Sequence, residues 1–229
     1  MESLRAVIND IKVFFYGGIM TLPLSIAGTM LIIGLFTANY GMIFFLCGYL
    51  IGVPLIVTLF NFIMRAFDFT RTGRSSNCGI IIPFTTLQNS SANSSANSST
   101  DYISYWIPMV TFFIGYMLQN AVTLYLLEVS NDKSDPEAIQ NRKSVALISF
   151  ATIFIFSAII LYFRISTECD DILEIIVATI IFTLLGGTYY YLINIYGQSR
   201  LTDLFGIANR ILKPNELNNG PLACANIYV

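Results

Sequence analysis

The sequence predicts an all-α protein: a polytopic membrane helical bundle of about five transmembrane helices, with amphipathic interfacial helices at both ends. Three observations predict it. The chain of 229 residues is 55% hydrophobic and 11% charged, has no histidine and carries a net charge of −2, where a soluble domain has roughly a quarter charged residues. The charges cluster, leaving four long, predominantly apolar runs without Asp, Glu, Lys or Arg. Aromatic side chains gather near the ends of the spans these runs define, where amphipathic rings sit at headgroup level: Tyr16, Tyr40, Tyr102, Tyr105, Trp106 and Tyr196.

Residues 1–13 read as an interfacial amphipathic helix, with Leu4, Val7, Ile8 and Ile11 on one face and Glu2, Arg5, Asn9 and Lys12 elsewhere. The following apolar run is too long for a signal peptide, and no small-residue cleavage site closes it. From Val13 to Met64 there are 52 uncharged residues. A bilayer core takes about 20 residues per helix, so 14–64 is a hairpin of two spans. Its turn falls at Thr37-Ala38-Asn39-Tyr40-Gly41, the one polar, turn-prone cluster in the run. Pro23 and Pro54 interrupt the two arms, so a re-entrant hairpin, with four spans in all, is the alternative.

The loop 65–101 opens with Arg65, Asp68, Arg71 and Arg74. Arg65, Arg71 and Arg74 suit contact with an acidic partner or lipid headgroups; a membrane-flanking basic collar is the plainer reading. The apolar stretch Cys78-Gly-Ile-Ile-Ile-Pro-Phe84 is too short to span and calls for burial against something. An Asn-Ser-Ser-Ala repeat follows, with sequons at Asn89, Asn93 and Asn97. These are glycosylation sites if the loop faces the secretory lumen, and otherwise the by-product of a low-complexity linker.

Segment 102–127 is the third span, 128–143 a polar loop, 144–163 the fourth span, 164–174 a short loop and 175–199 the fifth span. Residues 200–213 form a second amphipathic segment, with Leu201, Leu204, Phe205, Ala208, Ile211 and Leu212 in a stripe, stopped by Pro214. The tail 214–229 is polar and ends Ile-Tyr-Val; a strand docking in a carboxylate-capturing groove is one use for such an end. Five spans put the amino terminus and the loops 65–101 and 164–174 on one side, and the hairpin turn, loop 128–143 and tail on the other. Lys plus Arg then numbers six on each side, so the positive-inside rule leaves orientation open.

The sequence lacks the parts of most catalytic sites. Without histidine there is no imidazole base and no histidine metal site. The four cysteines show no C-x-x-C spacing, no phosphate-binding glycine loop is present, and no span carries an ionisable residue away from its ends. The expectation is a protein that is not an enzyme, with no catalytic residues, metal or cofactor and no small-molecule substrate. A net charge of −2 offers no basic footprint for nucleic acid.

The polar residues inside spans look like helix packing. Gly17, Thr21, Ser25 and Thr29 make a small-residue stripe on span one, and Gly48 and Gly52 a G-x-x-x-G on span two. Thr111, Gly115, Gln119 and Thr123 share a face of span three beside Asn120, while Thr183, Gly187 and Asn194 lie near one face of span five with Gly186 adjacent. Close backbone approach and interhelical hydrogen bonds hold helices together in lipid. The competing reading makes Gln119, Asn120 and Asn194 the lining of a path for a neutral solute.

The uncharged hairpin 13–64, the Asn-Ser-Ser-Ala run 89–99 and the lack of a catalytic motif resemble the layout of small multi-span proteins of large icosahedral DNA viruses, which tie an inner membrane to the capsid shell. The cysteine motif of the tetraspanin large loop is absent between spans three and four. The viral resemblance implies a minor capsid or envelope component in a virion internal membrane, with the bilayer and capsid shell proteins as partners. On residues alone, the expectation is a structural membrane protein that offers its loops and tail to other protein subunits.

Cys78 and Cys169 fall in loops on the same side, so an oxidising compartment on that side permits a disulfide between them. Cys47 reads as a packing residue within span two and Cys224 sits on the opposite side. If the bond forms, wild type and Cys78→Ser differ in mobility on a non-reducing gel and coincide after reduction. A wild type unaffected by reduction would end the idea.

Overall fold

A computed structural model describes residues 17–67, 102–126, 136–167, 170–197 and Leu204. All its regular elements are helices: α1 (Leu22–Phe36), α2 (Tyr40–Ala66), α3 (Trp106–Leu126), α4 (Pro136–Ser166) and α5 (Ile172–Gly197). Four helices are long and apolar enough to cross a membrane: Tyr40–Ala66, Trp106–Leu126, Gln140–Ser166 and Ile172–Tyr196. The chain is therefore an all-helical, multi-span membrane protein. The expected first span is shorter, with 15 residues in α1. Residues 17–20 are also helical, and Thr21 N and Ser25 N donate to the carbonyls of Gly17 (3.1 Å) and Thr21 (2.9 Å). With that turn included, the first arm rises about 30 Å at 1.5 Å per residue, which matches a hydrocarbon core.

The hairpin turn falls where the polar cluster placed it. Thr37 caps α1, Ala38 takes φ 50°, and Asn39 N donates back to Gly34 O at 2.9 Å. This 6→1 bond is the Schellman arrangement, which usually puts glycine where Ala38 stands. Asn39 then starts α2, its side chain accepting from Gly41 N at 3.0 Å. One residue thus ends the loop and caps the next helix.

Helix continues beyond both prolines of the hairpin. Pro23 occupies the first turn of α1, directly after the break at Thr21 that separates α1 from the helical residues 17–20. Pro54 lies within α2, and the turn before it, Gly48–Gly52, widens to π-helix, Val53 N donating to Gly48 O. A proline ring clashes with the carbonyl four residues back, and the wider turn relieves that clash while α2 continues to Ala66.

Helix α3 is the centre of the bundle, with 61% of its most apolar window buried against 11% for α4. Its closest partner is α5. A Cβ added to Gly115 would collide with the carbonyl of Thr183, and one added to Gly186 would collide with the carbonyl of Phe112. The two backbones therefore touch, the close approach that small residues permit in lipid. Around this contact lies an aromatic core of Phe45, Tyr49, Phe112, Tyr116 and Tyr190, with Phe45 and Tyr116 edge-to-face at 4.9 Å between centroids. Two tyrosines tie helices by hydrogen bonds: Tyr49 Oη donates to Pro23 O (3.1 Å) and Tyr189 Oη to Phe44 O (2.7 Å).

Helix ends extend beyond the uncharged runs. The fourth span, expected at 144–163, lies within a helix starting at Pro136, and α5 begins at Ile172 rather than 175. The expected amphipathic helix 1–13 lies outside the described residues, as does 200–213 apart from Leu204. That leucine is fully buried, and its carbonyl accepts from Asn39 Nδ2 at 3.1 Å. The residue just beyond span five and the first hairpin turn thus share one end of the bundle.

Gly115→Ala should lower the melting temperature in detergent by at least about 5 °C, because the added methyl meets backbone that cannot rotate away. Gly52→Ala, with nothing within 4 Å of its added Cβ, should change it by no more than about 2 °C. Equal effects would refute the backbone contact.

Candidate functional site

The start of α3 sets the site's requirements. Pro108 sits in the first turn of α3, and residues 102–105 before it are not helical, yet Ile103 and Ser104 are buried. Buried backbone outside a helix needs side-chain partners. Asn61, on the last turns of α2, supplies two: its Nδ2 donates to Ile103 O (3.0 Å) and its Oδ1 accepts from Ile103 N (2.9 Å). Glu174, in the first turn of α5, accepts from Ser104 N at 2.7 Å.

Beside this strap lies a buried ion pair. Arg164, fully buried near the end of α4, pairs with Asp170 in the connection to α5. Its guanidinium carbon is 4.5 Å from the Trp106 ring centroid, and Nη1 is 3.5 Å from Met20 Sδ. Trp106 Nε1 in turn donates to Met20 O at 3.1 Å. A planar cation stacked on indole and held by a carboxylate suits arginine better than lysine. Asp170 and Glu174 also flank the start of α5, where the helix dipole favours negative charge. The cluster joins the start of α1, the end of α2, the start of α3, the end of α4 and the start of α5, so it ties all five helices at one end. Its groups hold backbone, ring and counter-charge.

The residues expected at mid-span lie elsewhere. Thr111 is buried and donates to Ile107 O in its own helix at 2.8 Å. Gly115 carries the α3–α5 contact. Gln119 is half-buried one turn further along, 3.9 Å by its Cβ from where a methyl on Gly187 would sit. Asn120 is half-buried, its Oδ1 3.4 Å from the Tyr190 hydroxyl that donates to it. Asn194 is half-buried on α5. Gly48 lies under the ring of Tyr189, whose Cζ is 2.5 Å from the added Cβ, while Gly52 faces open space. The stripe of Gly17, Thr21, Ser25 and Thr29 is exposed, and its threonines donate back into their own helix.

Arg65 is exposed at the end of α2. Arg71, Arg74, Cys78, Cys169, Asn89, Asn93 and Asn97 lie outside the described residues, so the loop contacts, disulfide and glycosylation read from sequence fall there. Among the described residues, no group of three or more His, Cys, Asp or Glu could hold a metal ion.

Asn61, Glu174 and the Arg164–Asp170 pair are the residues that sequence reasoning passed over. A signal for them existed. Pro108 fixes a helix start near 106, so the preceding residues, still apolar, needed partners from other segments. No family model, curated protein or solved structure matches the chain.

Arg164→Met should destabilise by roughly 3–5 kcal/mol, because Asp170 is left charged and buried. Asp170→Asn should cost less, and the double variant should be more stable than Arg164→Met alone, with a coupling on the order of 1–3 kcal/mol. Thermal or denaturant unfolding of the four proteins in one detergent measures this. Strict additivity would refute the pairing.

Proposed function

We propose that the protein is a structural membrane anchor: a self-contained bundle that fixes loop 65–101 and the tail to a bilayer and holds other protein subunits through them. The observation that carries this reading is the internal use of the polar groups around the start of α3 and at Asn120. Asn61 and Glu174 are occupied by backbone, Arg164 by Asp170 and Trp106, and Asn120 by Tyr190. A facilitator built on Gln119, Asn120 and Asn194 needs a lumen, and α3 and α5 meet backbone to backbone one turn from Gln119. The bundle's outer face is broadly apolar, with Leu31, Leu55, Phe62, Phe154 and Leu184 among its exposed side chains, which suits lipid. Recognition of partners then falls to the extramembrane segments. The viral layout resemblance names one such assembly, a capsid shell over an internal membrane, and we take it as the working identity of the partner subunits.

Gln119→Leu distinguishes anchor from facilitator. In proteoliposomes, wild type and Gln119→Leu should both admit glycerol and urea no faster than protein-free vesicles, and the variant should unfold at a lower temperature because packing around Gly187 changes. Solute flux through wild type that Gln119→Leu abolishes, at unchanged stability, would replace the anchor with a channel.

A further inference from the structure

The bundle buries a second arginine, at the end opposite to Arg164. Arg142 is 2% exposed, yet its Nε and Nη1 are buried without a hydrogen-bond partner, and no acidic side chain pairs with it among the described residues. Arg164 shows what this fold provides when an arginine serves the bundle alone: a carboxylate and an indole face. Arg142 has neither. A buried guanidinium left without a counter-charge is strongly unfavourable, so its donors call for an anion from outside the described bundle.

Its position identifies that anion. Arg142 stands two residues before the uncharged run that starts at Ser144, at the edge of the hydrocarbon. Its neighbour Lys143 places its ammonium 5.9 Å from the ring of Tyr125, itself 41% exposed near the end of α3. Two adjacent cations and a tyrosine therefore lie together at headgroup depth. Arg142 lies six residues after Pro136, where α4 starts. Basic sites between membrane helices take the phosphates of anionic lipids in this way.

We propose that Arg142, assisted by Lys143, binds the phosphate of an anionic membrane lipid, in the leaflet on the side of the first hairpin turn. The proposal rests on the transmembrane reading and adds to it a preferred lipid and a defined leaflet.

The full chain, purified in a neutral detergent, is heated with added phosphatidylglycerol, phosphatidylcholine or inorganic phosphate. Phosphatidylglycerol should raise the melting temperature by about 3 °C or more and bind about fivefold more tightly than phosphatidylcholine. Arg142→Met should lose that response, and without lipid should melt no lower than wild type, because the substitution removes an uncompensated charge. Lys143→Gln should keep part of the response. Equal responses to the two lipids, or an undiminished response in Arg142→Met, would overturn the proposal. An equal rise with inorganic phosphate alone would overturn the lipid assignment in favour of a soluble phosphate ligand. If Arg142→Met yields no folded protein, the wild-type comparison of the two lipids decides. Failure to enter vesicles of either composition would instead strike the transmembrane reading.

Discussion

Contact between the backbones of α3 and α5 at Gly115 and Gly186 governs the rest of the bundle. Lipid supplies no hydrophobic force between helices, so association depends on how closely two helices can approach. Two glycines allow an approach that any side chain would block. Once α3 and α5 are fixed, Phe112 and Tyr116 on one and Tyr189 and Tyr190 on the other form a shared aromatic surface. Helix α2 packs Phe45 and Tyr49 onto it, aided by the π turn that Pro54 induces. Helix α4 stays peripheral, its outer face left for lipid.

A tight centre creates a demand at the rim. Segments of chain entering and leaving the bundle cannot all be helical, and Ile103 and Ser104 ahead of α3 are buried outside any helix. Asn61 and Glu174 meet that demand, and Arg164 with Asp170 closes the same end over Trp106. Charge is therefore present in the bundle and neutralised within it. Such groups build structure and leave little for transport. The opposite end is arranged differently: Asn39 holds the carbonyl of Leu204, and Arg142 stands without a protein counter-charge among the described residues.

Much of this architecture was legible in the sequence because charge cannot stay in hydrocarbon. Uncharged runs marked helices, and the Thr37–Gly41 cluster contains the turn, which occupies Thr37–Asn39. On span three Thr111 and Gly115 are buried and Gln119 is half-buried. What escaped reading depends on three-dimensional neighbours. The exposed stripe of Gly17, Thr21, Ser25 and Thr29 has the same spacing as the Gly115 face, and only the positions of α2 and α3 distinguish them. Asn61 sits in an uncharged run that hides its importance, and Arg164 looked like one more flanking charge until Asp170 folded back onto it. Helix boundaries slipped for a related reason: α4 and α5 extend past the uncharged runs through Arg142, Arg164 and Glu174, charged residues that the bundle buries at its two ends.

The central claim is that the interior around Gln119 is a packed, dry contact between α3 and α5. It is tested most directly by placing a cysteine at Gln119 in a chain whose four native cysteines are serine, reconstituting it in vesicles, and measuring modification by a charged, membrane-impermeant thiol reagent. The packed contact predicts a rate close to background from either side of the membrane, against rapid modification of a cysteine placed in loop 65–101. Modification of the Gln119 position at a rate comparable to that loop would reveal water at the centre of the bundle and contradict the account.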